Sequence, residues 1–316
     1  MQRSTKVAWL FPGQGSQIVG MGKELAATSE AARRTFERAD AALGEPLSRL
    51  CFEGPMEELT LTANTQPAIV AASAAIVAAL RERHPDLAPP VFAAGHSLGE
   101  YSALCAAGAI ELEDAVRICR LRGSAMQAAV PPGEGAMSAI MGLDAEAIVA
   151  ICEEAAAGEI VSPANYNAPG QVVIAGNKDA VVRAGDLVVA RGGKAVPLKV
   201  SAPFHCALMR SACDALAPAL ERVAIHPLVF PVIANVDASP NTDPGRVAEF
   251  LLRQIDGAVL WSASVERMAA EGVTHALELG PGKVLAGLGK RIAKSIKVLS
   301  VSDPAGIDAV PAFLEA

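Results

Sequence analysis

A chain of 316 residues that is 52% hydrophobic and 19% charged carries enough apolar side chains for a sizeable core, which excludes an intrinsically disordered protein. Its formal net charge of −7 at pH 7 is spread without a basic block, so nucleic acid is not an expected partner. Aromatic residues are only 4%, and the core must therefore be aliphatic. The length suits two folding units, or one large α/β domain that carries an insertion.

The opening "MQRSTKVAWLFPGQG" passes from a short polar start into a strand-like run, without the apolar core and cleavage site of a secretory signal. A cytoplasmic location is expected. "VAWLF" at 7–11 reads as a short strand that ends in the turn "PGQGSQ". The most apolar stretch, "PAIVAASAAIVAAL" at 67–80, has the periodicity of a buried helix and reads as too short and too alanine-rich to cross a bilayer. No membrane span is expected. "VFAA" at 91–94 is a second strand, and it runs through Gly95 into a glycine turn and a helix. Strands that lead through glycine turns into helices indicate a parallel sheet with helices on its faces.

Beyond the helical "EDAVRICRLRGSAMQAA", the segment "VPPGEG" places two prolines and two glycines together, a plausible crossing between units. From Ala136 the order is strand "AMSAIMGL", helix "DAEAIVAICEEAA", strands "IVSPANYN" and "QVVIAGN", helix "KDAVVRAGDLVVARGG" and strand "KAVPLKV". This βαββαβ order is that of the ferredoxin-like split unit, and it places a small inserted domain at 131–201. The chain returns through "SAPFHCALM" to more strands and helices and the glycine-rich "ELGPGKVLAGLGK", so that 1–130 and 202–316 form one discontinuous large domain. The six cysteines sit singly in apolar segments, with no close pair and no Cys/His cluster at zinc spacing. They read as reduced core residues, and no metal is expected.

Gly95, Ser97 and Gly99 form G-x-S-x-G between the strand and a helix whose Leu98, Tyr101, Leu104, Cys105 and Gly108 share a face. That is the setting of a nucleophile elbow. A strained turn lifts the serine hydroxyl clear at a helix N-terminus, where backbone N–H groups and the helix dipole stabilise developing negative charge. The competing reading is a serine that only caps the helix. The earlier turn "FPGQGSQ" lacks both phosphate-loop patterns, which argues against a nucleotide site. It can instead supply a backbone N–H, most naturally that of Gln14, to an oxyanion hole whose other half is Leu98.

A serine hydroxyl needs a base. His84 and His226 precede "PDLAPP" and a proline in apparent loops, His275 lies in the strand-like "THALEL" as a structural histidine, and His96 diverges from its neighbour at the turn. His205 sits where the chain leaves the small unit, either facing a cleft or buried and hydrogen-bonded. Arg122 is similarly open: a guanidinium in a cleft would grip a carboxylate through two parallel hydrogen bonds, and one on a helix face would be solvated.

The ordered blocks "FPGQGSQ", "TQPAIV", "GHSLGEYSAL", "RGSAMQ", "NYNAPGQVVIAG", "APFHCALM", "PVIANVD" and "ELGPGKVL" strongly resemble the malonyl-CoA:acyl carrier protein transacylases, nearly end to end. The resemblance implies a hydrolase-like parallel-sheet α/β large domain with the ferredoxin-like insert. It also implies Ser97 as nucleophile, His205 as its base, Arg122 on the free malonyl carboxylate, and the Gln14 and Leu98 N–H groups as the oxyanion hole. In this family a backbone carbonyl holds the other histidine nitrogen; Gln254 stands at the matching position, its side chain expected to be incidental. Phe204 resembles the residue that accompanies malonyl in related polyketide acyltransferases. The implied reaction is ping-pong transfer of malonyl from malonyl-CoA to the phosphopantetheine thiol of acyl carrier protein, without a cofactor, by an acyltransferase of fatty acid synthesis expected to act as a monomer.

Acyl carrier proteins are acidic, so a net negative enzyme needs a local basic patch, for which Lys283, Lys290, Arg291, Lys294 and Lys297, or Arg183, Arg191 and Lys194, are the candidates. The alternatives to this function are a polyketide-pathway malonyltransferase, a serine thioesterase that passes the acyl group to water, and a non-catalytic carrier-binding protein with a relic site.

Overall fold

The computed structural model describes residues 5–200 and 202–316. Residues 1–4 of the polar start, and the expected boundary at Ser201, lie outside the described residues. Ten strands are described: β1 (Val7–Phe11), β2 (Phe92–Gly95), β3 (Gly135–Met141), β4 (Val161–Ala168), β5 (Gln171–Asn177), β6 (Lys194–Pro197), β7 (Val232–Ile233), β8 (Pro240–Asn241), β9 (His275–Leu279) and β10 (Lys297–Val301). They form two sheets. The larger has the order β10-β9-β1-β2-β7-β8, parallel throughout except for the antiparallel edge strand β8. The smaller, β4-β5-β3-β6, is antiparallel, and it carries the helices Ala145–Ala156 and Lys178–Ala190. The molecule is thus an α/β protein with a parallel-sheet core and a ferredoxin-like second sheet.

Alternation along β1 shows why the large sheet is covered on both sides. Trp9 and Phe11 face a cluster with the helix Thr62–Arg83, whereas Ala8 and Leu10 face Trp261, Met268 and Leu285. The small sheet has its own apolar layer, with Ile140, Ile148, Ile151 and Ile174 fully buried. Each such side chain contributes roughly 1.5–3 kcal/mol by leaving water. β4 of the small sheet is tied to the segment before the helix Trp261–Ala270 at Val259, with Tyr166 N–H donating to Val259 O at 2.9 Å and Val259 N–H donating to Ala164 O at 2.9 Å.

Thr62–Arg83 corrects an expectation. At 22 residues it is longer than the apolar stretch at 67–80, and with an 18-residue window of mean hydropathy 1.4 it is long and apolar enough to cross a membrane. Most of it, 78% of the apolar window, is instead buried inside the protein. The sequence understated its length because its ends are polar for tertiary reasons: Gln66 is buried in the first turns, and Arg81 near the end donates to Ala106 O at 2.8 Å. All six cysteines are unpaired thiols, and burial pushes Cys51 and Cys119 up to about 12.

Candidate active site

β2 ends at Gly95 and the next helix begins at Gly99. The two glycines are there because nothing larger fits. A Cβ at Gly95 would lie 1.9 Å from the Gly99 carbonyl, and one at Gly99 would lie 2.2 Å from Phe11 O. Between them Ser97 is held at φ 52°, a left-handed conformation that costs a non-glycine residue energy and persists only where its surroundings enforce it. Asn235, just after β7, supplies that enforcement. Its Oδ1 accepts the Ser97 N–H at 2.8 Å, and its Nδ2 donates to Gly95 O at 2.7 Å.

His205 approaches from the segment between β6 and the helix Arg210–Arg222, itself at φ 60°. Its Nε2 is 2.7 Å from Ser97 Oγ, and its Nδ1 is 2.8 Å from Gln254 O. A carbonyl only accepts, so Nδ1 carries the proton and donates, which leaves the Nε2 lone pair for the serine hydroxyl. Gln254 lies in the last turn of the helix Val247–Asp256, where carbonyls lack an intrahelical partner, and this one is spent on the imidazole. Burial, followed by the charge of Arg122, pushes the His205 ring down to about 3, so at neutral pH it is neutral and its Nε2 lone pair is free to accept from the serine hydroxyl.

Arg122 lies on the helix Leu112–Ala128 and is only 1% exposed. It is buried beside the serine, not solvated. Nη1 donates to Gln66 Oε1 at 2.8 Å, while Nη2 donates to Gln254 Oε1 at 2.8 Å and to Ser97 Oγ at 3.1 Å. The guanidinium carbon lies 5.6 Å from the centre of the Tyr101 ring. Among the described residues no carboxylate forms an ion pair with Arg122, and its Nε has no hydrogen-bond partner. The buried Glu100 feels the charge of Arg122 but meets it only through Gln254, so the cation keeps spare N–H groups that favour an anionic ligand.

The side chain of Gln254 is not incidental. Fully buried, it accepts from Arg122 and donates through Nε2 to Ser97 O at 3.0 Å and to Glu100 Oε2 at 2.7 Å. Glu100 is buried too, and burial pushes its carboxyl up to about 7 against the lowering effect of its bonds from Gln254 and Asn235. Glu100 and Asn235 are site residues that sequence reasoning passed over, although both lie inside the ordered blocks. Nothing local marks them, since their partners lie 135 and 154 positions away.

Ser97, His205 and Arg122 open together on a cleft of about 350 Å³, with Gln14 and Phe204 on its wall and Met137 and Asn165 from the small sheet opposite. Gln14 Nε2 donates to Thr62 Oγ1 at 3.2 Å. Among the described residues no protein acceptor is bonded to the backbone N–H of Gln14 or of Leu98. The other histidines lie elsewhere in hydrogen-bonding terms: His96 turns to Asn167 Oδ1 at 2.8 Å, and His84 to Ile307 O at 3.0 Å. His275 contacts Thr274 Oγ1 at 3.0 Å and Phe313, but its Nε2 is buried without a partner, so it is less fully satisfied than its strand position suggested. Among the described residues no group of three or more His, Cys, Asp or Glu side chains is arranged to hold a metal ion.

A family model described as the acyl transferase domain matches residues 8–309. The malonyl CoA-acyl carrier protein transacylase of Salmonella typhimurium is 49% identical over 306 residues, 96% of this chain and 98% of that one. The chain belongs to this transacylase family. An acyl carrier protein S-malonyltransferase from Vibrio cholerae, solved by crystallography, superposes with a TM-score of 0.94 at 50% identity over 97% of this chain and 100% of that one. A malonyl-transacylase solved in complex with a type II PKS acyl-carrier protein superposes with a TM-score of 0.94 at 46% identity, over 99% of this chain and 100% of that one. The enzyme is therefore an acyltransferase.

Proposed function

We propose that the enzyme carries malonyl from malonyl-CoA to the phosphopantetheine thiol of acyl carrier protein by way of an ester on Ser97, supplying extender units for fatty acid synthesis. The observation that carries this reading is the 2.7 Å contact between Ser97 Oγ and a neutral His205 Nε2, with a buried, unpaired Arg122 at 3.1 Å from the same oxygen. The Ser97 proton passes to Nε2 as Oγ adds to the thioester carbon. The backbone N–H groups of Gln14 and Leu98 receive the oxyanion. Collapse breaks the C–S bond, and the departing coenzyme A thiolate takes the proton back from His205. The carrier thiol then repeats the sequence, giving His205 its proton, attacking the ester and restoring the serine.

Arg122 selects the acyl group. In the free site its Nη2 spends a hydrogen bond on Ser97 Oγ; with malonyl bound, that donor and the spare N–H groups turn to the distal carboxylate. Acetyl has nothing to offer them, and leaving a buried cation unpaired costs several kcal/mol. Phe204, buried beside His205 on the cleft wall, bounds the space for the malonyl methylene.

The small sheet, which we read as a separate inserted domain at 131–201, closes the far side of the cleft, and the large domain supplies the reacting groups. Each proton and charge in the cycle has a side chain or backbone amide assigned to it, so the reaction calls on no cofactor. Of the two basic clusters proposed for the carrier, the one in the insert is partly committed: Arg183 pairs with Glu159 at 2.7 Å and Arg191 with Glu154. In the C-terminal cluster Arg291 donates to Pro169 O at 3.1 Å and Lys297 to Ala316 O at 2.8 Å, so the part we favour for the carrier is Lys283, Lys290 and Lys294, with the enzyme acting as a cytoplasmic monomer.

Initial rates at several concentrations of malonyl-CoA and loaded-ready carrier test the transfer. Parallel reciprocal plots, with little free malonate released, are expected from a ping-pong acyltransferase. Malonate released at the same rate with or without carrier would make the protein a thioesterase, and intersecting plots would remove the acyl-serine route.

A further inference from the structure

We propose that Glu100 is a positioning residue for the transfer: it holds the Gln254 amide in the one orientation that seats the Arg122 guanidinium for a substrate carboxylate, a role that rests on the functional reading above. An amide has an acceptor end and a donor end of nearly equal shape, so packing alone does not choose between them. Its neighbours choose. Gln254 Nε2 points to two acceptors, Glu100 Oε2 at 2.7 Å and Ser97 O at 3.0 Å, which leaves Oε1 for Arg122 Nη2 at 2.8 Å. Turned over, the amide would set an NH₂ against the guanidinium and an oxygen against two acceptors. All three bonds would become repulsive contacts.

The same Glu100 oxygen also accepts the backbone N–H of Asn235 at 3.1 Å, and Asn235 is the residue whose side chain clamps Ser97 N–H and Gly95 O. One carboxylate oxygen thus joins the turn that lifts the nucleophile to the residue that holds both His205 and Arg122. A fully buried carboxylate is costly, and an apolar side chain of similar size would pack there without that desolvation. What offsets the cost is the acceptor itself. Glu100 touches no reacting atom; it acts through Gln254, and its loss should appear in how well the enzyme tells an acyl group with a carboxylate from one without.

Two variants of the full chain separate the acceptor from the volume. Glu100→Met keeps the length and removes the acceptor, whereas Glu100→Gln keeps an oxygen for both donors. For each, kcat and KM are measured for loading from malonyl-CoA and from acetyl-CoA, and Arg122→Ala is combined with Glu100→Met. The malonyl-over-acetyl preference should fall about tenfold or more in Glu100→Met, mainly through the KM for malonyl-CoA, and stay within about threefold of wild type in Glu100→Gln. In the Arg122→Ala background, Glu100→Met should change the preference no further. The preference is a ratio, so it is independent of how much of a poorly folding variant is active. A Glu100→Met enzyme with the wild-type preference, or one whose preference drops equally with and without Arg122, overturns the assignment. Wild-type protein that loads neither acyl group would instead sink the functional reading itself.

Discussion

Two buried glutamates, Glu100 beside the elbow and Glu278 at the end of β9, pose the same physical problem and solve it with different partners. Glu278 is fully buried and accepts Leu285 N–H at 2.8 Å, Ala286 N–H at 3.0 Å and Ser300 Oγ–H at 2.8 Å. Two of these donors are the first-turn amides of the helix Val284–Ile292, whose own N-cap residue, Lys283, makes no side-chain cap. Burial raises the Glu278 carboxyl, and those donors pull it back. The glutamate replaces a missing cap and fastens a turn. Glu100 receives its bonds from Asn235 and Gln254, distant in sequence, each bonded in turn to a group that meets the substrate. Burial of a carboxylate therefore does not mark function; what lies one bond further along does.

That contrast can be broken at either end. The largest effect is expected at the elbow: Ser97→Ala should lower malonyl transfer by about four orders of magnitude or more while the fold persists, measured as kcat/KM with circular dichroism as control. Arg122→Ala comes next, with malonyl loading down by about two to three orders of magnitude and acetyl loading much less affected. Full retention of malonyl preference there would remove Arg122 as the carboxylate's partner.

The pH profile sharpens the same side. A protonated His205 cannot accept from Ser97, so activity is lost as pH falls through the ring's pKa; with that pKa held near about 3, wild-type kcat/KM should persist well below pH 6.5. Burial is the first cause of the depression and Arg122 the second, so Arg122→Ala should move the acid limb to higher pH. An unmoved limb would mean that the arginine's charge is not felt at the ring. The smallest effect belongs to the other glutamate. Glu278→Gln should cost about 1–2 kcal/mol of stability, read as a melting temperature lower by a few degrees, and leave the malonyl preference unchanged. A shift in preference would show that the two glutamates are not different in kind.

How much of this was legible in the sequence follows from the range of each interaction. The elbow could be read because its constraints are local: Gly95 and Gly99 have no room for a Cβ, and Ser97 lies between them. The small sheet was legible because each of its strands and helices shows its own period in sequence and their βαββαβ order is that of a known split unit, and "QVVIAGN" matches β5 residue for residue. Arg122 was ambiguous because its partners Gln66 and Gln254 stand 56 and 132 residues away, and no window of sequence shows them together. The side chain of Gln254 and the roles of Glu100 and Asn235 were hidden for the same reason. β7 and β8, two residues each, carry no period to read.

The central claim concerns one oxygen, and mass spectrometry of the protein after brief mixing with malonyl-CoA tests it most directly. A malonyl ester mapped to the peptide that contains Ser97, stable in buffer and discharged when phosphopantetheine-bearing carrier is added, is the predicted result. A protein that turns over malonyl-CoA with the label on another residue, or with no covalent label at all, would contradict the account.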